Sequence, residues 1–562
     1  MSLKRYFLIG ITLILLSTAN ASAFTQKEYK RIYSSDYITN YLYGSVLHDE
    51  NKHNLAVNTL RKNSKLKGQH SYYDIRYITS LAVDGKLDEA AQNVFALDNL
   101  YEDVFVFNFI KSVFYLKNEE YEKASLQLKK LKSQDRLLIE LKNALLFWIE
   151  IETNKTPKEE LIKSFRSVHS PGITLINQFL ASQYTGNIKL YNSYNSQILA
   201  SDKFVRYKIL SAWNESKIGQ KERSLKILEK TLINNSENVL LKQSFKNFKT
   251  EDYRIVNFYN SKKINHNLSE IFYLFSALYQ QRSDILFSDL LLSISLEFNK
   301  SFLSNNLLRF ENKLINNPKY NFDYLFLNKL KNIGDEYIWH IDYNFARYAK
   351  KPQISSLKLL IKSEDIFIQK KYLDLANFYR TKKNYQSALA YYDKVEKANS
   401  EQDWSFYYYK GICYERLKKW KESEKNLQKS ISLSPKKYTV INYLAYSWLE
   451  RRENIDQATK MLEDAVKLSN WELGYIIDSL GWAYFLKKEY GKAEKILKIA
   501  YEKTPYESEV YDHYGDVLWK QKKYLQARYV WKNALNLENI SLDRKKRIQK
   551  KIINGLTFGE KN

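Results

Sequence analysis

Glycine and proline are scarce in this chain, at 15 and 6 of 562 residues. Sheets need tight turns at short intervals, and those turns draw on Gly, Pro, Asn and Asp. So few Gly and Pro residues predict an all-helical protein. Cysteine occurs once, as Cys413, which excludes an internal disulfide; an oxidising compartment would be tolerated but not exploited. A lone Cys inside a helical pattern is expected to pack as a small buried hydrophobe. Long apolar runs are missing too. The N-terminal run Tyr6–Leu16 has 11 residues, against the ~20 that a membrane span needs.

Hydrophobic residues are present in sufficient number, at 44 %, to build a core, which argues against general disorder. The net charge of +26 invites an anionic partner, but its distribution weakens the invitation. Residues 372–540 hold 29 basic and 23 acidic side chains, Ser541–Asn562 adds +5, and the remaining 371 residues hold +15. This diffuse excess reads as a solvated surface, so no nucleic-acid partner is expected.

The N-terminus has three parts: a basic start at Lys4 and Arg5, the apolar run, and a small-x-small ending at Ala21-Ser22-Ala23. That is the plan of a secretory signal peptide. A mature protein beginning near Phe24, periplasmic or secreted, is expected.

The dominant signal is internal repetition. Take Gly481 as an origin. Ile477, Leu480, Tyr484, Ala493, Leu497, Ala500 and Pro505 stand at fixed offsets from it, and Tyr511, Tyr514, Leu518, Ala527, Trp531 and Ala534 keep the same places around Gly515, 34 residues on. The pattern extends back through Ala445, Gly411 and Ala376. It reappears more faintly around Gly44, Ala56, Ala90 and Ala124, the three alanines being 34 apart each time. Each unit reads as two amphipathic helices joined by a short polar turn. Small residues let the two backbones approach, large ones fill the space beside them, and a Pro after the second helix stops it. A single unit leaves an apolar face open, so units must stack.

This pattern resembles the tetratricopeptide repeat family over Tyr372–Ile540, about five units, and its last units look like exported proteobacterial members of that family. The resemblance implies helix-turn-helix repeats stacked into a right-handed superhelical solenoid. The expected organisation is residues 1–23 signal peptide, 24–137 N-terminal repeats, 138–371 degenerate helical repeats, 372–540 C-terminal array, and 541–562 a basic capping helix and tail. In that cap Ile548, Ile552 and Leu556 supply one apolar face.

Motifs for chemistry are lacking. Gly491-Lys492 has neither the earlier glycine nor the following Ser or Thr of a phosphate loop. H-E-x-x-H and G-x-S-x-G are absent, and the seven histidines show no paired ligand spacing. No enzyme activity, cofactor or metal is expected. In the resembled family the first helix of each unit lines a concave, peptide-binding groove. Carried onto this chain, the groove positions are Tyr408, Ile412 and Arg416; Asn442, Tyr446 and Leu449; Asp478, Trp482 and Phe485; and Asp512, Asp516 and Trp519. Aromatics beside carboxylates would suit a partner with apolar anchors and some positive charge. The Asp residues also depart from the family's Lys/Asn/Arg clamp for acidic chain ends. The function expected is an exported scaffold that binds envelope proteins or peptides through this groove, with room for peripheral membrane association. The alternative is a cell-wall-binding or -processing protein whose site lies in the degenerate middle, where Trp213 and Trp339 could stack on sugar.

Overall fold

The computed structural model of the protein describes residues 34–556 except 98–99, 102, 154–157, 169, 257–258, 317–321, 349–353, 400 and 539. The signal peptide expected at 1–23 lies outside the described residues. Those residues form thirty α-helices and no strand, and none of the helices is long and apolar enough to cross a membrane. They divide into two compact units between Leu357 and Lys358, ahead of the expected array start at Tyr372.

The first unit holds α1 Ser35–Asp49, α2 His53–Leu60, α3 Ser71–Val83, α4 Leu87–Phe95, α5 Phe105–Lys117, α6 Tyr121–Lys130, α7 Arg136–Thr153, α8 Lys158–Ser164, α9 Pro171–Thr185 and α10 Ile188–Ala200. It continues with α11 Val205–Lys217, α12 Lys221–Asn234, α13 Val239–Lys249, α14 Ile264–Gln281, α15 Ile285–Phe298, α16 Leu303–Asn316, α17 Tyr324–Lys331, α18 Asp335–Tyr348 and, at the division, α19 Ser355–Leu359. The second unit holds α20 Ile368–Thr381, α21 Tyr385–Ala398, α22 Trp404–Arg416, α23 Trp420–Leu433, α24 Tyr438–Arg451, α25 Ile455–Leu468, α26 Gly474–Leu486, α27 Tyr490–Lys503, α28 Ser508–Lys520, α29 Tyr524–Ala534 and α30 Leu542–Asn554.

In the second unit the repeat geometry follows from the small residues. A Cβ added to Gly481 on α26 would lie 2.5 Å from Leu497 Cγ on α27, and one on Gly515 of α28 would lie 2.2 Å from Trp531 Nε1 on α29. Real Cβ atoms do not approach so closely, so only glycine admits the large partner sixteen residues later. The same pairing recurs at Gly411 with Leu427, and in the first unit at Gly44 with Leu60. The facing small positions Ala493, Ala500, Ala527 and Ala534 are fully buried. Where serine replaces alanine, its hydroxyl is satisfied across the interface: Ser423 donates to the Gly411 carbonyl at 2.9 Å and Ser430 to the Trp404 carbonyl at 2.7 Å.

The turns inside the hairpins share one conformation. Lys383, Lys418, Lys488 and Lys522 each have a positive φ near 60°. The next residue's N–H bonds back to the carbonyl five before it, as in Glu489 to Tyr484 and Lys523 to Leu518, both at 2.9 Å. This closure satisfies the helix-end carbonyls. Glycine is the usual left-handed residue there, and it holds the place in the first unit at Gly85, Gly186 and Gly219; in these four turns of the second unit lysine takes it.

The degenerate middle has a definite role in the first unit. The apolar hairpin α14–α15 packs back on the first helices of the N-terminal repeats, α14 on α7 and α15 on α3 and α5. Leu290, Leu291, Leu292 and Ile294 of α15 are at most 1 % exposed, each worth about 1.5–3 kcal/mol relative to exposure. Polar contacts fix the docking. Lys117 pairs with Glu297 at 2.8 Å, the Tyr279 hydroxyl donates to Asp135 Oδ2 at 2.7 Å, and the Ser293 hydroxyl donates to the Val83 carbonyl. The face of the N-terminal repeats that carries α3, α5 and α7 is therefore covered by the chain itself.

If the Gly481–Leu497 approach sets the repeat geometry, Gly481→Ala should destabilise the second unit by about 1–3 kcal/mol through overpacking. Gly491→Ala, at an open site on α27, should be neutral or stabilising by up to about 1 kcal/mol. Thermal unfolding of the two variants checks the contrast in sign.

Candidate functional site

The twelve predicted groove positions do fall on α22, α24, α26 and α28, but they do not form one open surface. On α22, Tyr408 and Ile412 are half-buried and Arg416 is exposed. Tyr408 packs against Trp404, Tyr409 and Tyr443, with ring centroids 5.3–6.4 Å apart, and burial pushes its hydroxyl up to about 12. Arg416 Nε lies 3.3 Å from Glu415. Arg380 of α20 stacks its guanidinium 3.9 Å over the Tyr409 ring, and its Nε is buried without a hydrogen-bond partner among the described residues.

From α24 onward six of the nine positions are buried, and Tyr446, Phe485 and Trp519 are half-buried. Leu449 is 1 % exposed and sits in the hydrophobic core. Asn442 is buried, its Oδ1 unpartnered. Trp482 is 5 % exposed, held between Phe485, at 4.7 Å and an interplanar angle of 10°, and His513, at 4.1 Å and 14°. Asp478 accepts from His513 Nδ1 at 2.8 Å. Tyr446 reaches across two repeats, its hydroxyl donating to Glu509 at 2.9 Å, and Glu509 also pairs with Arg544 of α30 at 3.1 Å. Asp512 and Asp516 are buried and share one cation. Lys551 Nζ of α30 donates to Asp512 Oδ1 at 2.7 Å and to both Asp516 oxygens at 2.8 Å. Trp519 is half-buried between Tyr524, Trp531 and Arg528, so tightly that a Cβ on Gly555 would lie 1.9 Å from it.

The physical reason is closure. Side chains that would line a groove in a wider superhelix here meet the neighbouring repeat or the cap. The three aspartates are paired internally with His513 and Lys551 and buried, so they are not an acidic lining awaiting a basic partner. Burial opposes protonation of His513, but the charge and hydrogen bond of Asp478, reinforced by Glu509, outweigh it and hold the imidazole up to about 9. In the cap Ile548 is buried as predicted, and Lys551 is the ion-pairing centre.

What stays accessible is an aromatic and cationic stretch earlier in the second unit: Tyr408, Ile412, Arg380 and Arg416, joined by two tyrosines that the repeat offsets did not single out. Tyr475 of α26 is 45 % exposed and Tyr438 of α24 is half-buried. Tyr438 acts electrostatically on Tyr475, and Tyr475 on Tyr408, so the three hydroxyls share one neighbourhood. Lys437 adds a further cation, 4.7 Å above the Trp404 ring.

Elsewhere the chemistry is sparse. Trp339, expected as a sugar platform, is buried, and Trp213 is half-buried, packed on Tyr253 at 4.9 Å. A cavity of about 50 Å³ in the middle region is walled by apolar side chains and the Arg206–Glu270 ion pair; it has room for a water or two, not a sugar ring. His48 and His53 meet after all, both within 3.3 Å of the buried Ser80 hydroxyl. Burial depresses the His53 imidazole to about 3 and keeps it neutral. Cys413 is fully buried, and burial pushes its thiol up to about 12. No group of three or more His, Cys, Asp or Glu side chains among the described residues is arranged to hold a metal ion.

No protein-family model matches the chain, and no curated protein matches it. Similar solved structures are tetratricopeptide-repeat proteins. One, a thermophilic member from Thermus thermophilus, is 20 % identical, covers 33 % of this chain and 99 % of its own, and has a TM-score of 0.29. Another, MamA from Desulfovibrio magneticus RS-1, is 18 % identical, covers 30 % of this chain and 94 % of its own, and has a TM-score of 0.28.

Two outcomes follow from the closed end. His513 has a folded-state pKa above its ordinary value. Its contribution is therefore complete below about pH 6.5 and lost as pH rises through about 9. Melting curves from pH 6 to 10 should fall across that window in the wild type, and Asp478→Asn should remove the fall; histidine-selective NMR would read the titration directly. Lys551→Met leaves two buried carboxylates unpaired and should cost about 3–5 kcal/mol. Lys550→Met, on the exposed side, should stay within about 0.5 kcal/mol. Hydrogen exchange in α28–α30 separates the two.

Proposed function

We propose that this protein is a non-enzymatic scaffold that holds a partner protein by an extended segment laid along the open stretch of α20, α22, α24 and α26. The observation that carries this reading is the half-exposed Tyr408–Tyr438–Tyr475 cluster flanked by Arg380 and Arg416. Tyrosine and arginine are the side chains that most often dominate binding at interfaces, because each couples a large apolar area to a polar tip. Arg380, its guanidinium 3.9 Å over the Tyr409 ring, adds a cation to the same stretch.

The partner chemistry differs from that expected of an acidic groove. The aspartates are internally paired and the accessible cations are Arg380, Arg416 and Lys437, so the favoured segment presents apolar or aromatic anchors with carbonyl or carboxylate acceptors between them. The basic-apolar-small pattern of residues 1–23 supports export, and with it an envelope partner.

Photo-crosslinking from position 475 in cells, followed by mass spectrometry, tests the assignment. A discrete set of crosslinked proteins is expected, and Tyr408→Ala combined with Arg380→Ala should reduce its yield at least tenfold. An unchanged set in the double variant would sink the groove assignment.

A further inference from the structure

The last helix hides a concentration of charge that averaging over longer windows conceals. Residues 520–554 contain eleven Lys and Arg against two Asp and Glu, a net +9 in 35 residues out of +26 for the whole chain. Three of those cations turn inward or sideways: Lys551 to the aspartates, Arg544 to Glu509, and Arg528 Nε to the Ile552 carbonyl at 2.9 Å. The opposite face of α30 points out. Leu542, Lys545, Lys546, Gln549, Lys550 and Ile553 recur at i, i+3, i+4, i+7, i+8 and i+11, which places them on one face of the helix, and all six are exposed. No ion pair to a described carboxylate neutralises Lys545, Lys546 or Lys550; the ion pairs of α30 are made by Arg544 and Lys551.

A terminal repeat needs a polar outer face to stay soluble. This one breaks the rule at both ends of the stripe. Leu542 is 67 % and Ile553 75 % exposed, and on α29, which packs on α30, Leu525 is 85 % and Tyr529 66 % exposed. Exposed aliphatic side chains bracketing a lysine cluster match one kind of surface. Nucleic-acid phosphates would reward the lysines but leave Leu542 and Ile553 in water. An anionic bilayer rewards both: each Lys or Arg near the surface is attracted to acidic headgroups, and the aliphatic tips enter the headgroup–acyl boundary. Leu542 and Ile553 stand about 16 Å apart along the axis, at 1.5 Å per residue, so the helix would lie flat with both tips engaged.

We infer that the outer face of α30 is a docking surface for anionic lipid membranes. This surface is separate from the α20–α26 stretch, so each can fail without the other. The test is co-sedimentation of the full chain with vesicles of phosphatidylcholine alone and of phosphatidylcholine with one quarter phosphatidylglycerol. Binding is expected only to the second, and Lys545→Glu, Lys546→Glu and Lys550→Glu together should weaken it by roughly 100-fold. The exposed pair Leu542→Asn and Ile553→Asn, which leaves the charge intact, should weaken it by roughly tenfold. Circular dichroism of each variant confirms that the fold is kept. Equal sedimentation with both vesicles would overturn the proposal, as would triple-variant binding at wild-type strength. Loss through the lysines alone, with the Leu542/Ile553 variant unchanged and a DNA duplex bound equally well, would reassign the face as a general polyanion surface and reject the lipid.

Discussion

Everything in the second unit depends on how closely two helix backbones approach at one repeated position. Where Gly481 faces Leu497 and Gly515 faces Trp531, the missing Cβ is the space into which the large side chain fits. That approach sets the crossing of the two helices and leaves the turn between them little freedom. A positive φ must follow, and the chain accepts it at Lys383, Lys418, Lys488 and Lys522 although a non-glycine residue is disfavoured there. In the second unit Gly411, Gly481 and Gly515 stand where packing requires the absence of a side chain, and four of the turns take lysine.

The same tightness decides which surfaces can meet a partner. A superhelix wound closely enough for Tyr446 to reach Glu509 across two repeats has no groove at that level. In the first unit the corresponding faces of α3, α5 and α7 are covered by the α14–α15 hairpin. In the second, α30 stands where a further repeat would begin and puts Lys551 on the aspartates of α28. Both units thus bury by intramolecular contact most of what the repeat plan would present. The accessible remainder, around Tyr408 and Tyr475, is small and chemically distinct.

Much of this was legible in the sequence, and the rest failed for identifiable reasons. The 34-residue spacing located the helix pairs, and the buried Ala493 and Leu497 follow from it, because small-against-large packing is a contact between neighbours in one unit. The helical character expected of residues 138–371 is seen there in α7 to α19. Exposure of Trp482, Asp478 and Leu449 could not be read the same way. It depends on the pitch of the stack and on His513, 35 residues on, supplying a ring and a proton at the right height. The offset rule names which side a residue faces, not what else faces it. Tyr475 escaped notice because its position in the repeat carries no packing constraint, and freedom from that constraint is what leaves it available.

Charge shows the same limit most sharply. Lys550 and Lys551 are adjacent and identical, and composition counts them alike. A helix turns about 100° per residue, so one points to solvent beside Ile553 while the other is buried between two carboxylates. The inward lysine makes the aspartates of α28 tolerable in a low-dielectric interior and ties the cap to the last repeat. The outward lysines make no ion pair with a described carboxylate, and Asp543 is the one acid on their helix. Neutralising the interior and charging the exterior are consequences of one amphipathic helix, and any change that rotated α30 by a single residue would undo both at once.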